Sequence, residues 1–432
     1  MTDGAISRSG GDPIALHNRA LELRRLGCPE EALAMIERAR TLGLRAPETL
    51  VARGHLFADL GRHDEAVEQY REVLADHPGM VAAHESLAKL LPQIGRGGEA
   101  LDSYRGALAQ APRDGLLWVS AMAMAHSTRD HEQLLLWARR ARAVFGADTM
   151  ISVHEATALA GLGAAAAGRD LLVAAIRNDP DYSPAYGTLA FILLQLGDPA
   201  RAAEAAQQAV RRVGDDQSSW ALLGTAWRLL GDPREQWLCD YDRLIMAIEV
   251  ADLELLRVAG ILTGLHLASF EPAEQTLRGG TQTRDNLFDR SDPVLQALAG
   301  SIRRQVEERL AGLPADPNHP FLGRNRGSIA FAGSWSVRLR SQGFHVNHIH
   351  PSGWLSSACY IALPPEIEGS SSEGALTFGS PDSALGLDLP PSRILAPVAG
   401  RLIVFPSYFW HGTEPFASDS PRLTIAFDAL PR

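Results

Sequence analysis

A Leu-Gly pair returns at a fixed interval through the first half of the chain: Leu26-Gly27, Leu60-Gly61, then Ile94-Gly95, and after a gap Leu162-Gly163, Leu196-Gly197 and Leu230-Gly231. Every step is 34 residues or twice that, and the skipped beat holds Thr128-Arg129. Glu31-Ala32, Glu65-Ala66 and Glu99-Ala100 keep the same phase, as do Pro78, Pro112 and Pro180. A period of this length means stacked copies of one supersecondary unit, each too small to bury its apolar face alone. The residue types say which unit. Glycine lets two antiparallel helices turn tightly, alanine allows their close contact, and proline ends the second helix. About seven units are expected between residues 14 and 245, forming a right-handed all-α solenoid. Its concave face would suit an extended peptide or a partner helix, although a rigid spacer or dimerisation arm could use the same shape. Arg53, His55, His84 and Trp118 are candidates for that groove, with ordinary helix packing as the alternative.

At 432 residues the chain exceeds one ordinary core, so a second domain is expected. The net charge of −10, with arginines scattered rather than clustered, argues against a nucleic-acid groove. No run of eighteen apolar residues is present, and the opening MTDGAISRSGG lacks a signal-like apolar stretch, so no membrane partner and a cytoplasmic location are expected. Cys28, Cys239 and Cys359 are odd in number and far apart, which points to buried thiols rather than disulfides or a zinc cluster. Residues 246–326 lose the 34-residue phase and read as a helical connector. Within it, residues 271–288 are rich in Gly and Thr and read as a loop, a candidate lid carrying Arg278, Gln282 and Thr283.

From residue 327 to 432 the texture changes to short apolar runs between Gly, Pro and Ser clusters. GSIAFAGSWSVRLR, WLSSACYIAL, GALTFG, GRLIVFPSYFWH and RLTIAFDAL each read as a strand, and their spacing suits a double-stranded β-helix, or jelly roll. The fold class is therefore multidomain α + β, a helical solenoid followed by this barrel. In FHVNHIHPSGW, His348 and His350 stand two apart, so on an extended strand both imidazoles project from one face. A third imidazole, His411, ends the apolar LIVFPSYFWH run, and Arg422 follows eleven residues later. The reading is that these stretches face each other and hold a redox metal beside a site for an acidic cosubstrate. His345, an odd number of positions from the other histidines, should face away and be structural. Trp335, Trp354 and Trp410 read as barrel packing or rim, with Trp354 a candidate border of the substrate entrance.

The repeat resembles the tetratricopeptide repeat. The ordered set H-x-H-P, S-x-x-x-Y, G-x-L-x-F, G-x-L-I-V-F-P-S-x-x-x-H and R-x-T resembles the Fe(II)- and 2-oxoglutarate-dependent oxygenases, in particular those whose barrel follows such repeats. That resemblance implies Fe(II) held by His348, His350 and His411, with 2-oxoglutarate and O2 as cosubstrates. It implies Arg422, Thr424 and Tyr360 as binders of the cosubstrate's distal carboxylate, with Arg338 a weaker candidate. The family usually has Asp or Glu where this chain has His350, and no carboxylate lies between His345 and Ser352. A three-histidine face, or two histidines completed by water with His350 behind them, both remain open. The implied activity is oxidative decarboxylation of 2-oxoglutarate to succinate and carbon dioxide, coupled to hydroxylation, with the repeats recruiting a protein or peptide substrate. A metal-binding scaffold without turnover, or a small-molecule oxygenase with an oligomerising solenoid, are the alternatives.

Overall fold

The computed structural model describes residues 11–432 except 251–253, 268–270, 272–275 and 285. Its first half is six helix pairs, running from Pro13–Arg25 with Pro29–Thr41 to Ser183–Gln195 with Pro199–Arg212. A seventh unit begins with Gln217–Leu230 and continues into the short helix Arg234–Leu238.

The repeat signals do the work their chemistry implies. Gly27, Gly61, Gly95, Gly163, Gly197 and Gly231 all have φ between 63° and 83°, the left-handed conformation that closes a helix and that L side chains avoid. On the skipped beat, Arg129 takes φ 57° without being glycine, and its guanidinium reaches across to Asp382 of the second domain at 2.7 Å. A second device is also in phase. His84, Trp118, Tyr186 and Trp220 each bond, through a ring nitrogen or hydroxyl, to the carbonyl six residues earlier: Pro78, Pro112, Pro180 and Gly214. The side chain at the head of each first helix thereby fixes the loop that enters it. His84 and Trp118 are consequently buried repeat parts rather than groove residues. Arg53 pairs with Glu37 and Gln69, and His55 with Ser86, so these two are also engaged within the solenoid. Asp114, Asp130, Asp148, Asp198 and Asp216 cap helix N-termini by accepting from backbone amides.

Among the described residues the second domain contains nine strands: β1 (Met246–Glu249), β2 (Leu277–Gln282), β3 (Ile329–His345), β4 (Leu355–Ala362), β5 (Leu376–Phe378), β6 (Arg393–Leu395), β7 (Arg401–Pro406), β8 (His411–Thr413) and β9 (Arg422–Pro431). They form two antiparallel sheets, β1-β7-β4-β9-β3-β2 and β6-β5-β8. Two expectations need correction here. The connector supplies both edge strands of the larger sheet, and residues 277–282 of the expected loop are β2, paired with β3. Gly280 hides this strand from propensity, because a Cβ there would run into the Arg338 carbonyl across a bulge that only glycine accommodates. Gln282 faces the cavity described below, whereas Thr283 exchanges bonds with the Ser336 backbone. Residues 272–275 and 285 of that stretch lie outside the described residues.

The LIVFPSYFWH run is likewise two elements: β7 ends at Pro406, the chain turns, and His411 opens β8 in the other sheet. The turn is what carries the third histidine across to face the other two.

The solenoid and the sheets share one apolar core. It runs from Ala190, Leu222 and Trp227 of the last repeats through Leu238 and Leu244 to Leu355, Phe405, Phe409 and Phe427. Tyr408 donates to the Leu238 carbonyl and Trp410 to Thr225, further fastening the two parts. The intra-repeat turns of several units touch the second domain, from Gly27 against Arg290 to Arg228 donating to the Gly379 and Pro390 carbonyls. Cys359 is buried, while Cys28 and Cys239 are partly exposed, and all three are free thiols. Among the described residues no helix is long and apolar enough to cross a membrane.

Candidate metal centre

β3 ends at His345, and the chain then crosses to pair with the start of β8. The His348 amide donates to the His411 carbonyl at 2.9 Å and the His411 amide returns the bond at 3.0 Å, while the His350 amide donates to Ser407. The two histidine-bearing stretches are thus stitched together by backbone, which fixes where the imidazoles begin. Each ring is then oriented through its Nδ1. His348 Nδ1 lies 2.8 Å from the Val346 carbonyl, and His411 Nδ1 lies 2.9 Å from the Phe409 carbonyl. His350 Nδ1 lies 2.9 Å from Asp428 Oδ2. An Nδ1–H held this way leaves the Nε2 lone pair free, which is the tautomer a metal needs.

The rings converge. Ring centroids are 4.2 Å apart for His348 and His411, 5.1 Å for His350 and His411, and 5.1 Å for His348 and His350. The ligand-capable nitrogens all lie within 4.8 Å of one another, a spacing one cation could satisfy. Burial first, and the charge of neighbouring imidazoles second, hold His348 down to about 3 and His411 well below the usual histidine range. Both are therefore neutral at physiological pH, as ligands must be.

The same cavity, about 430 Å³, extends from the histidines to Arg422 and Thr424. Arg422 is 2% exposed. Its Nη1 donates to the Gly374 carbonyl, its guanidinium lies 5.1 Å over the Tyr360 ring, and its Nε has no partner. The fully buried Tyr360 hydroxyl has none either. No carboxylate pairs with Arg422 among the described residues, so a buried cation with one unmet donor lines the cavity, while Tyr360, beneath its guanidinium, is not among the lining residues. Tyr360 and Thr424 are register partners on β4 and β9. Trp335 stacks on His350 at 5.8 Å, and the Phe405 ring packs against His411 at 4.6 Å.

Several sequence expectations meet a different placement. His345 lines this cavity rather than facing away: the extended run ends at that residue, so strict alternation no longer applies. Its Nδ1 lies 3.2 Å from Thr276 Oγ1, which is 3.5 Å from His348 Nε2. Arg338 does not line the cavity; its even-numbered neighbour Ser336 bonds to His266 on the other face of β3. Trp354 is buried against Phe321, 4.6 Å between centroids, and donates to the Phe321 carbonyl, so it borders no entrance. Asp428 is a further residue of the site, one that the motifs do not mark. Its signal was present, since Arg422, Thr424, Ala426 and Asp428 alternate along β9 and all line the cavity. The carboxylate missing beside His350 in sequence thus stands behind it in space.

Comparisons with known proteins agree in order with these two parts. Residues 333–428, which contain all three histidines and Arg422, match the family described as "Putative 2OG-Fe(II) oxygenase". Residues 51–115 and 159–225 match tetratricopeptide-repeat families. Similar solved structures include a tetratricopeptide repeat protein from Parabacteroides merdae, 15% identical over 52% of this chain and 88% of that one, with a TM-score of 0.39. Another is YrrB, a TPR protein with an unusual peptide-binding site, 19% identical over 50% of this chain and 93% of that one, with a TM-score of 0.26. Among curated proteins no match is found. Residues 333–428 are thus similar to the 2OG-Fe(II) oxygenase family and follow segments that match tetratricopeptide repeats, the combination that the motifs resemble.

Proposed function

We propose that the chain is an Fe(II)- and 2-oxoglutarate-dependent dioxygenase, a hydroxylase whose repeats recruit a protein or peptide substrate. The observation that carries this reading is the buried Arg422, unpaired by any described carboxylate, in one cavity with three converging imidazoles. A metal-binding scaffold would have no use for a buried cation beside its metal.

In this reading His348, His350 and His411 hold the metal, and Asp428 keeps His350 turned toward it. Iron bound there supplies the oxygen activation that couples decarboxylation of 2-oxoglutarate to hydroxylation of a C–H bond. The distal carboxylate of 2-oxoglutarate takes the Nε edge of Arg422, because the Nη1 is already engaged and a planar guanidinium edge matches a carboxylate. The Tyr360 hydroxyl donates to the same group, and Thr424 adds a contact from the facing strand. Trp335 and Phe405 wall the histidines with apolar surface, which limits water at the reacting carbon. The test is succinate release from 2-oxoglutarate by anaerobically iron-loaded protein, with His411→Ala as control. Metal binding without succinate at any iron loading would leave the scaffold reading in its place.

A further inference from the structure

A second and larger cavity, about 830 Å³, lies between the solenoid and the mouth of the metal-centre cavity. One wall is the row of first helices of the last four repeats. His126 comes from Gly115–Ser127, Thr157 from Thr149–Gly161, Thr188 and Phe191 from Ser183–Gln195, and Ser218 and Leu222 from Gln217–Leu230. The opposite wall is Arg324, Leu430 and the turn at residues 351–353. Pro351 and Ser352 line both cavities, so that turn is the wall they share.

Dimensions select the occupant. Four adjacent helices at about 9 Å spacing span roughly 27 Å. A helical partner about 10 Å across laid over that length would fill roughly 2,000 Å³, more than the about 1690 Å³ of empty space in the groove, its open mouth included. An extended chain covers the same span with about eight residues. Charge narrows the choice. Asp215 and Asp216 lie in the lining against one basic residue, Arg324, which pairs with Asp215 at 3.5 Å. Asp216 is held by the Ser219 amide and hydroxyl. Two carboxylates against one guanidinium leave that end of the groove negative, and a basic side chain would complement it. The floor at Phe191, Ile192 and Leu222 takes apolar side chains.

We propose that this groove docks an extended peptide segment of about eight residues that carries a basic side chain, and that the segment crosses the Pro351–Ser352 turn to present its target residue to the histidines. The destination rests on the oxygenase reading, whereas the docking does not, so binding is measured apart from turnover.

The full chain bearing His411→Ala, kept free of iron, is used to select from a displayed library of random dodecapeptides. Enriched peptides are then made and titrated by fluorescence anisotropy. The proposal expects enrichment of peptides containing Lys or Arg, with Kd raised roughly tenfold or more by Thr188→Arg and, separately, by Ser218→Arg, a loss of about 1.4 kcal/mol. Asp215→Asn should weaken the basic peptides while sparing variants in which the basic residue is Gln. Leu116→Ala, on a side chain 76% exposed and outside the lining, should change nothing. Thermal melts establish that each variant is folded. No enrichment over a protein-free control, or enriched peptides that bind both arginine variants as tightly as the parent, would overturn the proposal. Peptide binding that obeys the groove variants but never stimulates succinate release by the iron-loaded wild type would leave docking standing and overturn the delivery to the histidines, whereas no succinate with or without peptide would remove the oxygenase reading itself.

Discussion

Asp428 offers the sharpest test of how this chain could hold a metal with histidine where a carboxylate is usual. Its side chain and that of His350 are each 15% exposed, and the Nδ1–carboxylate contact is 2.8 Å, so the pair is only weakly screened. The Asp428 carboxylate also accepts from Ser356 at 2.7 Å, which fixes the acid before any metal arrives. A charge-assisted bond of this kind contributes about 1.5–3 kcal/mol. Loss of such a partner behind a ligating histidine lowers metal affinity about 10- to 100-fold, or about 1.4–2.7 kcal/mol. Asp428→Asn keeps the shape and can still accept from His350, but it removes the charge, so it should fall near the lower figure. Asp428→Ala should fall near the upper. The assay is anaerobic titration of the metal-free protein with Fe(II), or with Co(II) read by its visible absorption. The decisive arm is the double mutant: once His350→Ala has removed the ring, Asp428→Asn should cost nothing more, because its route to the metal is gone. If both single Asp428 variants bind metal as tightly as the parent, His350 is not held for a metal by this carboxylate. Additive losses in the double mutant would refute the same chain of reasoning from the other side.

Other outcomes follow from the same coordinates. Arg422→Met should raise the thermal midpoint, because burying an unpaired guanidinium costs about 1–3 kcal/mol, while abolishing 2-oxoglutarate binding measured by calorimetry. A lower midpoint would mean that Arg422 is a structural pair after all. Tyr360→Phe deletes a buried hydroxyl without a partner, so stability should hold or rise while the Kd for 2-oxoglutarate increases. Unchanged affinity would remove Tyr360 from the anion site. At Arg129, exchange to Gly relieves the left-handed backbone and loses one exposed ion pair, two effects of about 1 kcal/mol or less that oppose each other. Arg129→Val should destabilise by about 1–2 kcal/mol, and chemical denaturation distinguishes the two. Burial first, then nearby cations or another histidine, lowers His55, His154 and His266 each to about 4. Above the unfolded value near 6.5 both states are neutral and pH has no effect through these groups. As pH falls from 6.5 toward 4 the unfolded chain takes up protons that the folded chain refuses, so stability is lost across that window. A melting temperature that stays flat over it would show that these rings are not buried as described.

The repeat was fully legible because its signals are local. A glycine at the helix turn, an alanine between helices and a proline past the end act within one or two turns of chain, and their phase alone orders the stack. Even the skipped beat could be located in sequence. Its reason could not, because Asp382, the partner of Arg129, is 253 residues away. In the second domain the three histidines and Arg422 could be picked out by type and order, yet much of their setting was hidden. The strand at residues 277–282 has poor strand propensity and exists because β3 offers it an edge. Alternation puts His345 on the wrong face, because it holds only while a strand continues and β3 ends at that residue.

What the sequence by itself determined is therefore periodic and local: the helical stack, the strand-rich second half, and the ligand-type residues in their order. Only the tertiary structure decided which side chains meet. The turn after Pro406 carries His411 into the second sheet and opposite His348, and β9 brings Asp428 behind His350 from 78 residues away. Packing against the last repeats leaves a groove that shares the turn at residues 351–352 with the cavity of the histidines. The physical reason is that a strand or helix records its own periodicity in sequence, whereas the sites lie between elements whose mutual position is set by burial of a common core.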